Sequence, residues 1–310
     1  MRRDDRLRGL LVGLAVGDAL GAPVEFMRPG TFEPVSGYRG GGPHGLKPGY
    51  WTDDTSMALC SGISLCACDG FNAEDQLQRF VRWFRRGYLS STGRCFDIGN
   101  RTAAALIRFE RSGELYAGEE SWDSAGNGAL MRLAPVVIHA HRDAALAEQW
   151  AETHARLTHA DPRCLEANRL FARLLCAALE STDREVLLAQ FERWQDGVQD
   201  AELWSVVAGG YRHRSPPEIR GSGYVIASLE AALWAFAHSH DFAEGMLLAV
   251  NLGDDADTTG AVYGQLAGAF YGEAAIPQEW RDGLYCYEAI RQLAQGLIDH
   301  TRPPLPAEWW

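Results

Sequence analysis

Two short segments supply most of the side chains in this sequence that could do chemistry in one place. Trp51-Thr52-Asp53-Asp54-Thr55 opens an apolar helical run, and Gly253-Asp254-Asp255-Ala256-Asp257-Thr258-Thr259-Gly260 opens another far along the chain. Helix capping is a sufficient reason for the first alone, because threonine satisfies free backbone N–H groups and aspartates in the first turn favour the positive end of the dipole. The second goes beyond that need, since capping does not require three aspartates within four residues. Carboxylates so close repel one another unless a cation neutralises them. Oxygen ligands alone, carboxylate and hydroxyl with no adjacent histidine or cysteine, select hard cations such as Mg²⁺ or Mn²⁺. On a regular helix Asp255 and Asp257 diverge by about 200°, so they converge only at a non-helical start, where they lie. Two clusters facing each other could hold two ions in a shared site, an arrangement that orients a water and polarises a leaving oxygen. A calcium loop of the EF-hand type is excluded, because the residues after Asp257 lack the alternating ligands and the closing glutamate.

Other chemistries are poorly supplied. The net charge is −12 and Lys47 is the single lysine. An acidic chain without a basic stripe lacks the phosphate contacts that dominate nucleic-acid affinity, and the scarcity of lysine removes candidates for Schiff-base catalysis. Seven cysteines (Cys60, Cys66, Cys68, Cys95, Cys164, Cys176, Cys286) show no paired CxxC spacing. They suit reduced, mostly buried thiols of a cytoplasmic protein, and make a disulfide framework or a zinc site unexpected. At the N-terminus, arginines precede an apolar run from Gly9 to Gly17, as in a signal peptide, but Asp4 and Asp5 offset that charge and Asp18 breaks the run. Nine apolar residues fall short of the roughly twenty that span a membrane.

The elements that must position the carboxylates read as helices almost throughout. Leu7, Leu10, Leu11 and Leu14, or Leu165, Leu170, Leu174 and Leu175, repeat at helical spacing, and alternating strand-type runs are hard to find. The periodicity predicts an all-α fold with helices near 4–20, 53–68, 74–86, 99–112, 128–141, 143–157, 163–181, 183–194, 222–239, 242–250, 257–271 and 281–299. Residues Met27 to Gly49, rich in glycine and proline, read as a long surface loop that ends just before the first aspartate pair. Gly209 to Gly223 carries Pro216 and Pro217 as a linker would, but the similar helical pattern on both sides favours one domain over 1–310. Glycines recur every fourth residue at Gly9, Gly13, Gly17 and Gly21, and again at Gly260, Gly264, Gly268 and Gly272. Each set lines one ridge of a helix, where missing side chains permit close backbone approach. The expectation is that these two helices pack on each other or on a common neighbour, bringing Asp18 and Glu25 near Asp255.

Taken together, the motifs resemble the ADP-ribosylglycohydrolase family. The matching segments are Gly17 to Phe26 (GDALGAPVEF), Gly49 to Leu59, Asp97-Ile98-Gly99-Asn100, Gly126 to Arg132 (GNGALMR), Leu157-Thr158-His159 and Asn251 to Gly260, in order and spanning most of the chain. The resemblance implies a compact, single-domain, all-α bundle with a binuclear Mg²⁺ or Mn²⁺ centre. Its ligands would be Thr52, Asp53, Asp54, Asp255, Asp257 and Thr258. Glu25 would stand beside the site as a gating or acid/base carboxylate, and Asp53, Asp54 or Glu25 would assist proton transfer. Gly126, Asn127, Gly128 and Ala129, in a turn opening a helix, would offer amides to the diphosphate, as helix N-termini do for anions. His159 would contact the ADP-ribose and Asp97 would pair with the guanidinium of a modified arginine. Where many relatives have a glycine this chain has Asp254, left outside the ligand set. The implied activity is hydrolysis of the N-glycosidic bond between ADP-ribose and a protein side chain, most simply arginine. Alternatives are an O-linked ADP-ribosylserine substrate, or a catalytically weak ADP-ribose-binding or immunity protein. The implied partner is an ADP-ribosylated protein in the cytoplasm, with an ADP-ribosyltransferase as counterpart and with neither nucleic acid nor membrane.

Overall fold

The computed structural model describes residues 3–121 and 124–310. Fourteen α-helices form among them: α1 (Arg3–Gly21), α2 (Asp53–Cys68), α3 (Ala73–Arg86), α4 (Asn100–Ser112), α5 (Ala134–His139), α6 (Ala144–Arg156), α7 (Pro162–Glu180), α8 (Arg184–Glu192), α9 (Ala201–Val207), α10 (Val225–Ala237), α11 (Phe242–Val250), α12 (Ala256–Tyr271), α13 (Gln278–Gly283) and α14 (Tyr287–Asp299). No strand forms among the described residues; the only ladder contacts are the single bridges Gly41–Leu46, Glu119–His159 and Gly126–Tyr224. The fold is all-α, as the periodicity indicates.

The centre of the bundle is the pair α1 and α12, both apolar nearly all round and buried along almost their whole length, as core helices are. The glycine ridges meet face to face. A Cβ placed on Gly13 would come 2.2 Å from Gly264 O, one on Gly17 2.0 Å from Gly260 O, and one on Gly9 2.4 Å from Gly268 O. This close seam sets the starts of α2 and α12 side by side, because α1 ends where Asp18 reaches into the first turn of α2. The stretch Arg3–Val24 is, by length and composition, apolar enough to cross a membrane, which corrects the nine-residue reading; 94% of its apolar window is buried inside the protein, against α12 and its neighbours.

Four departures from the periodicity have local causes. The predicted helix 128–141 is a turn over Gly128–Arg132 followed by α5, because Pro135 in a helix interior would lack an N–H and clash with the preceding turn, whereas it fits the first turn of α5. The predicted helix 281–299 divides into α13 and α14. Gly283 lies against the Tyr38 ring and under Gly49, and Tyr285 N donates to Gly49 O at 3.0 Å, so the break anchors the end of the long loop. The short α9, capped by Asp200 through the N–H groups of Glu202 and Leu203, has too few turns to register as a period. The stretch Gly209–Gly223 is no linker: Tyr211 and Ile219 are buried, and a Cβ on Gly221 would come 2.7 Å from Thr259 Oγ1.

Candidate active site

At the start of α2, Thr52 occupies the N-cap but its side chain does not cap. Asp18 of α1 does that work. Its Oδ1 accepts from Thr52 N at 2.8 Å, and its Oδ2 accepts from Thr55 N at 3.0 Å and Thr55 Oγ1 at 2.6 Å. Thr52 Oγ1 is thereby left among three carboxylate oxygens: Asp18 Oδ1 at 3.0 Å, Asp54 Oδ2 at 3.2 Å and Asp257 Oδ2 at 3.1 Å. A hydroxyl has one proton to give, so two of these close contacts lack one. Thr258 Oγ1 stands 3.5 Å from the same Asp54 Oδ2. The other oxygens, Asp54 Oδ1 and Asp257 Oδ1, are buried with no hydrogen-bond partner at all. Buried acceptors left bare cost free energy. Oxygen ligands short of protons, on Asp18, Asp54, Asp257 and two threonines, fit divalent cations of the hard class.

At the start of α12, Asp255 likewise does not cap with its side chain; its Oδ2 accepts from Asn127 Nδ2 at 2.7 Å. Asp254, at φ 52°, exchanges backbone bonds with the long loop: Phe26 N donates to its carbonyl at 2.6 Å and its N–H donates to Met27 O at 2.8 Å. Its side chain lines the cleft.

These starts form the floor of a cleft of about 760 Å³, walled by Glu25, Phe26, Asp97, Arg101, Gly126–Gly128, His159 and Gly223 among others. Of the residues singled out from sequence, Asp53, Asp255, Asp257, Thr258, Glu25, Asp97, Gly126, Asn127, Gly128 and His159 line it. Thr52 and Asp54 lie just beneath, fully buried, and Ala129 is fully buried away from the cleft. Phe26, Asp97 and Asp254 are non-glycine residues at φ 61°, 62° and 52°. Such backbone is costly and persists where the surroundings enforce it, commonly at functional sites.

The turn 126–129 differs from its expected form. It does not open a helix, and two of its amides are already committed: Gly126 N to Ser124 O at 2.8 Å and Asn127 N to Gly223 O at 3.1 Å. Only the amides of Gly128 and Ala129 lack a backbone acceptor among the described residues. The two glycines serve a further purpose, because a Cβ on Gly128 would come 2.7 Å from His159 Cε1 and one on Gly126 3.2 Å from Nε2. His159 is thus laid flat against the turn.

Arg132, fully buried, donates to Gly128 O at 2.5 Å, His154 Nε2 at 3.1 Å and Thr158 Oγ1 at 2.7 Å. Thr158 Oγ1, which accepts from Arg132, also stands 2.8 Å from His159 Nδ1. His159 Nε2 lies beside the Gly126–Gly128 turn in the cleft wall. Burial, then the charges of Arg132 and Arg101, push its pKa down to about 3, so the ring stays neutral.

His44, from the long loop, was not singled out by the sequence. Its Nε2 stands 2.8 Å from Glu25 Oε2 and 3.4 Å from Asp97 Oδ1, and its ring packs on Phe96 at 5.0 Å. Hydrogen bonds from Asp97 and Glu25 push its pKa up to about 10. Burial, then the charge of Asp97, pushes Glu25 up to about 8 against the opposing pull of His44. Burial, followed by neighbouring carboxylates, also raises Asp53, Asp54 and Asp257 well above the usual range. Among the described residues, sets of three His, Cys, Asp or Glu ligand atoms within 4.8 Å are Glu25–His44–Asp97 here and Asp69–His139–His300 elsewhere; Asp18, Asp54 and Asp257 are joined through threonine hydroxyls instead.

A pH dependence follows with a definite sign. Asp18, raised by burial from 3.8 to about 6, and Glu25, raised from 4.5 to about 8, hold protons in the folded state that the unfolded chain has released. Their stabilisation is complete below about pH 4 and is lost as pH rises to about 8. Between about pH 6.5 and 8, above the range in which the buried His139, His154 and His159 act in the opposite sense, thermal melts in chelator should show stability falling, and saturating Mg²⁺ should flatten the slope; stability rising with pH there in chelator would contradict the site's electrostatics.

Comparison with known proteins agrees with this geometry. The sequence profile of the family described as ADP-ribosylglycohydrolase matches residues 1–306. The chain is 42% identical over 299 residues to the ADP-ribosylarginine hydrolase Tri1 of Pseudomonas putida (strain GB-1), covering 96% of this chain and 79% of that protein. It is 34% identical over 284 residues to the ADP-ribosyl-[dinitrogen reductase] glycohydrolase of Rhodospirillum rubrum, covering 89% of each. A solved structure titled "ADP-ribosylglycohydrolase-related protein complex" superposes with a TM-score of 0.85 at 46% identity, covering 97% of this chain and 99% of that one. The chain belongs to the ADP-ribosylglycohydrolase family.

Proposed function

We propose that this protein hydrolyses the N-glycosidic bond between ADP-ribose and an arginine side chain, with a pair of Mg²⁺ or Mn²⁺ ions held by Thr52, Asp53, Asp54, Asp255, Asp257 and Thr258. Bound there, the cations would supply charge stabilisation at oxygen and a water of lowered pKa. The chain's own residues do the rest. Asn127 fixes the Asp255 carboxylate by its hydrogen bond, and Asp18 fixes Thr52. The amide of Gly128 and, with its hydrogen on Nε2, the ring of His159 would donate to diphosphate or ribose oxygens, and Arg132 orients that ring through Thr158. Glu25, kept protonatable near neutrality, would exchange a proton with the departing guanidine or the attacking water. In the balanced reaction the C1″–N bond breaks, water supplies hydroxyl to the ribose, and its other proton goes to the arginine nitrogen.

The observation that carries the arginine reading is the place of His44. One planar N–H cation already sits between Glu25 and Asp97. A guanidinium is also planar, cationic and a hydrogen-bond donor, so the pair of carboxylates suits it, whereas a serine linkage offers no charge there. Asp97→Asn should lower kcat/KM on arginine-linked substrate by roughly 30-fold or more, as loss of one partner of a desolvated charge pair does. The experiment is incubation with arginine-, serine- and glutamate-linked ADP-ribosyl proteins: release from arginine alone is expected, and a preference for serine would replace the arginine reading.

The partner class is accordingly an ADP-ribosylated protein, with an arginine-specific ADP-ribosyltransferase supplying the modification. All seven cysteines are free thiols, with Cys60 and Cys164 buried, which supports a reducing, cytoplasmic setting. Residues 1–310 would act as one domain.

A further inference from the structure

The far end of α2 holds a second cluster that the hydrolytic reaction does not use. Asp69 is the C-cap of α2, His300 the C-cap of α14, and His139 the last residue of α5. One ligand atom from each lies within 4.8 Å of the others. His300 Nδ1 is 3.7 Å from Asp69 Oδ1, and the rings of His139 and His300 are 4.2 Å apart. An ion pair between Asp69 and a protonated His300 would explain those two exposed side chains. It leaves His139 unexplained. That residue is 3% exposed, is stacked on Trp150, and its Nδ1 is buried with no hydrogen-bond partner. A bare buried nitrogen is costly, and a neutral imidazole is the commonest metal ligand.

We propose that Asp69, His139 and His300 form a second cation site, separate from the cleft, that takes a transition-metal ion of the Zn²⁺ class. Two imidazoles and one carboxylate with a fourth position open to water match the ligand count of three-residue zinc sites. Imidazole ligands separate this site chemically from the oxygen-only set of aspartates and threonines in the cleft floor, which favours Mg²⁺ or Mn²⁺. The free carbonyls at the C-termini of α2 and α14 add a negative field that favours a cation. Burial, then His300, pushes the His139 pKa down to about 4, so its ring is unprotonated and open to a metal at neutral pH. Asp69 and His300 lie at the surface, with side chains 78% and 34% exposed, and can close the remaining distance by rotation. The cysteine pattern makes zinc unexpected, but this site uses no thiol; its three ligands come together only in the fold. The ion would tie together the ends of α2, α5 and α14. The other end of α2, sixteen residues and so about 24 Å away, carries Thr52–Asp54.

The test uses the whole chain with Mg²⁺ saturating and Zn²⁺ alone as probe, read by equilibrium dialysis and by the rise in Tm. Zinc should bind with one-to-one stoichiometry in the unsubstituted protein and equally in Asp255→Ala, which disables the cleft. In His300→Ala, an exposed substitution, affinity should fall by at least about tenfold, the loss that even an outer-shell partner costs, and the Tm rise should vanish with hydrolysis unchanged. Absence of binding to the unsubstituted protein, retention of zinc by His300→Ala, or its loss in Asp255→Ala would each overturn the proposal. Because the readout is metal binding, its failure is separate from any failure of the hydrolytic reading.

Discussion

Asp257→Asn is expected to cut turnover of ADP-ribosylarginine protein by about three orders of magnitude, or about 4 kcal/mol, while making the metal-free protein more stable. Both effects come from the same atoms. Asp257 Oδ2 crowds Thr52 Oγ1 at 3.1 Å, and Oδ1 is buried without a partner. Asp54, Asp255 and Glu25 raise its pKa further by charge repulsion, on top of burial. Without a cation the folded state bears that repulsion; with one, the same oxygens would become ligands. Asparagine has the same shape without the charge, so it relieves the metal-free protein and weakens the metal-bound one. Melts with and without Mg²⁺ should cross. The unsubstituted protein gains about 2.7 kcal/mol when Mg²⁺ is at a hundred times its Kd, and the variant gains far less from a lower-affinity site but starts higher. A variant that loses activity and metal-free stability together would instead mark Asp257 as a structural residue.

The second large effect is on folding. Gly264→Ala should destabilise the protein by about 3 kcal/mol or more, or prevent its accumulation as a folded chain. A Cβ at this position would stand 2.0 Å from Gly13 O and 2.4 Å from Gly13 C. Both are backbone atoms in the buried part of α1, so no side-chain rotation relieves the contact. α1 and α12 would have to separate along their shared seam, and the aspartate-bearing starts of α2 and α12 would move apart with them. Gly197→Ala is the matched control: nothing lies within 4 Å of its Cβ, and its effect should stay within about 0.5 kcal/mol. Denaturant midpoints of the two variants measure the difference. Equal midpoints would mean that the glycine ridges merely reflect small residues in a crowded bundle.

These two sites were also the most legible from sequence, for different physical reasons. Glycine every fourth residue has few uses in a helix interior, where each costs about 1 kcal/mol against alanine, so a repeated ridge points to helix contact. Three aspartates in four residues point to a cation because capping needs fewer. Helix bounds were read well where periodicity and end signals agreed, as for α2 and α11. They failed where one residue overrode the pattern, as Pro135 does before α5 and Gly283 does between α13 and α14.

What sequence could not supply was the set of contacts made across the fold. His44 lies in a glycine-rich loop with no periodicity, and its position between Glu25 and Asp97 depends on the path of that loop. Asp18 reads as an interruption of an apolar helix, and only the packing of α1 shows it capping α2 in place of Thr52. Arg132 reads as one arginine among many, yet it orients His159 through Thr158. The backbone amide of Asn127, expected to face the diphosphate, goes to Gly223 O, and its side chain turns to Asp255. In each case the partners are far apart in the chain, so no local spacing signals them.

The central claim is that cations in the aspartate cleft drive removal of ADP-ribose from arginine. It is tested most directly by following free ADP-ribose released from an arginine-ADP-ribosylated protein, first in chelator and then after adding Mg²⁺ to the same sample. No release in chelator and prompt release on Mg²⁺ addition is the expected result. Release that proceeds equally in chelator, or none in either condition, would contradict it.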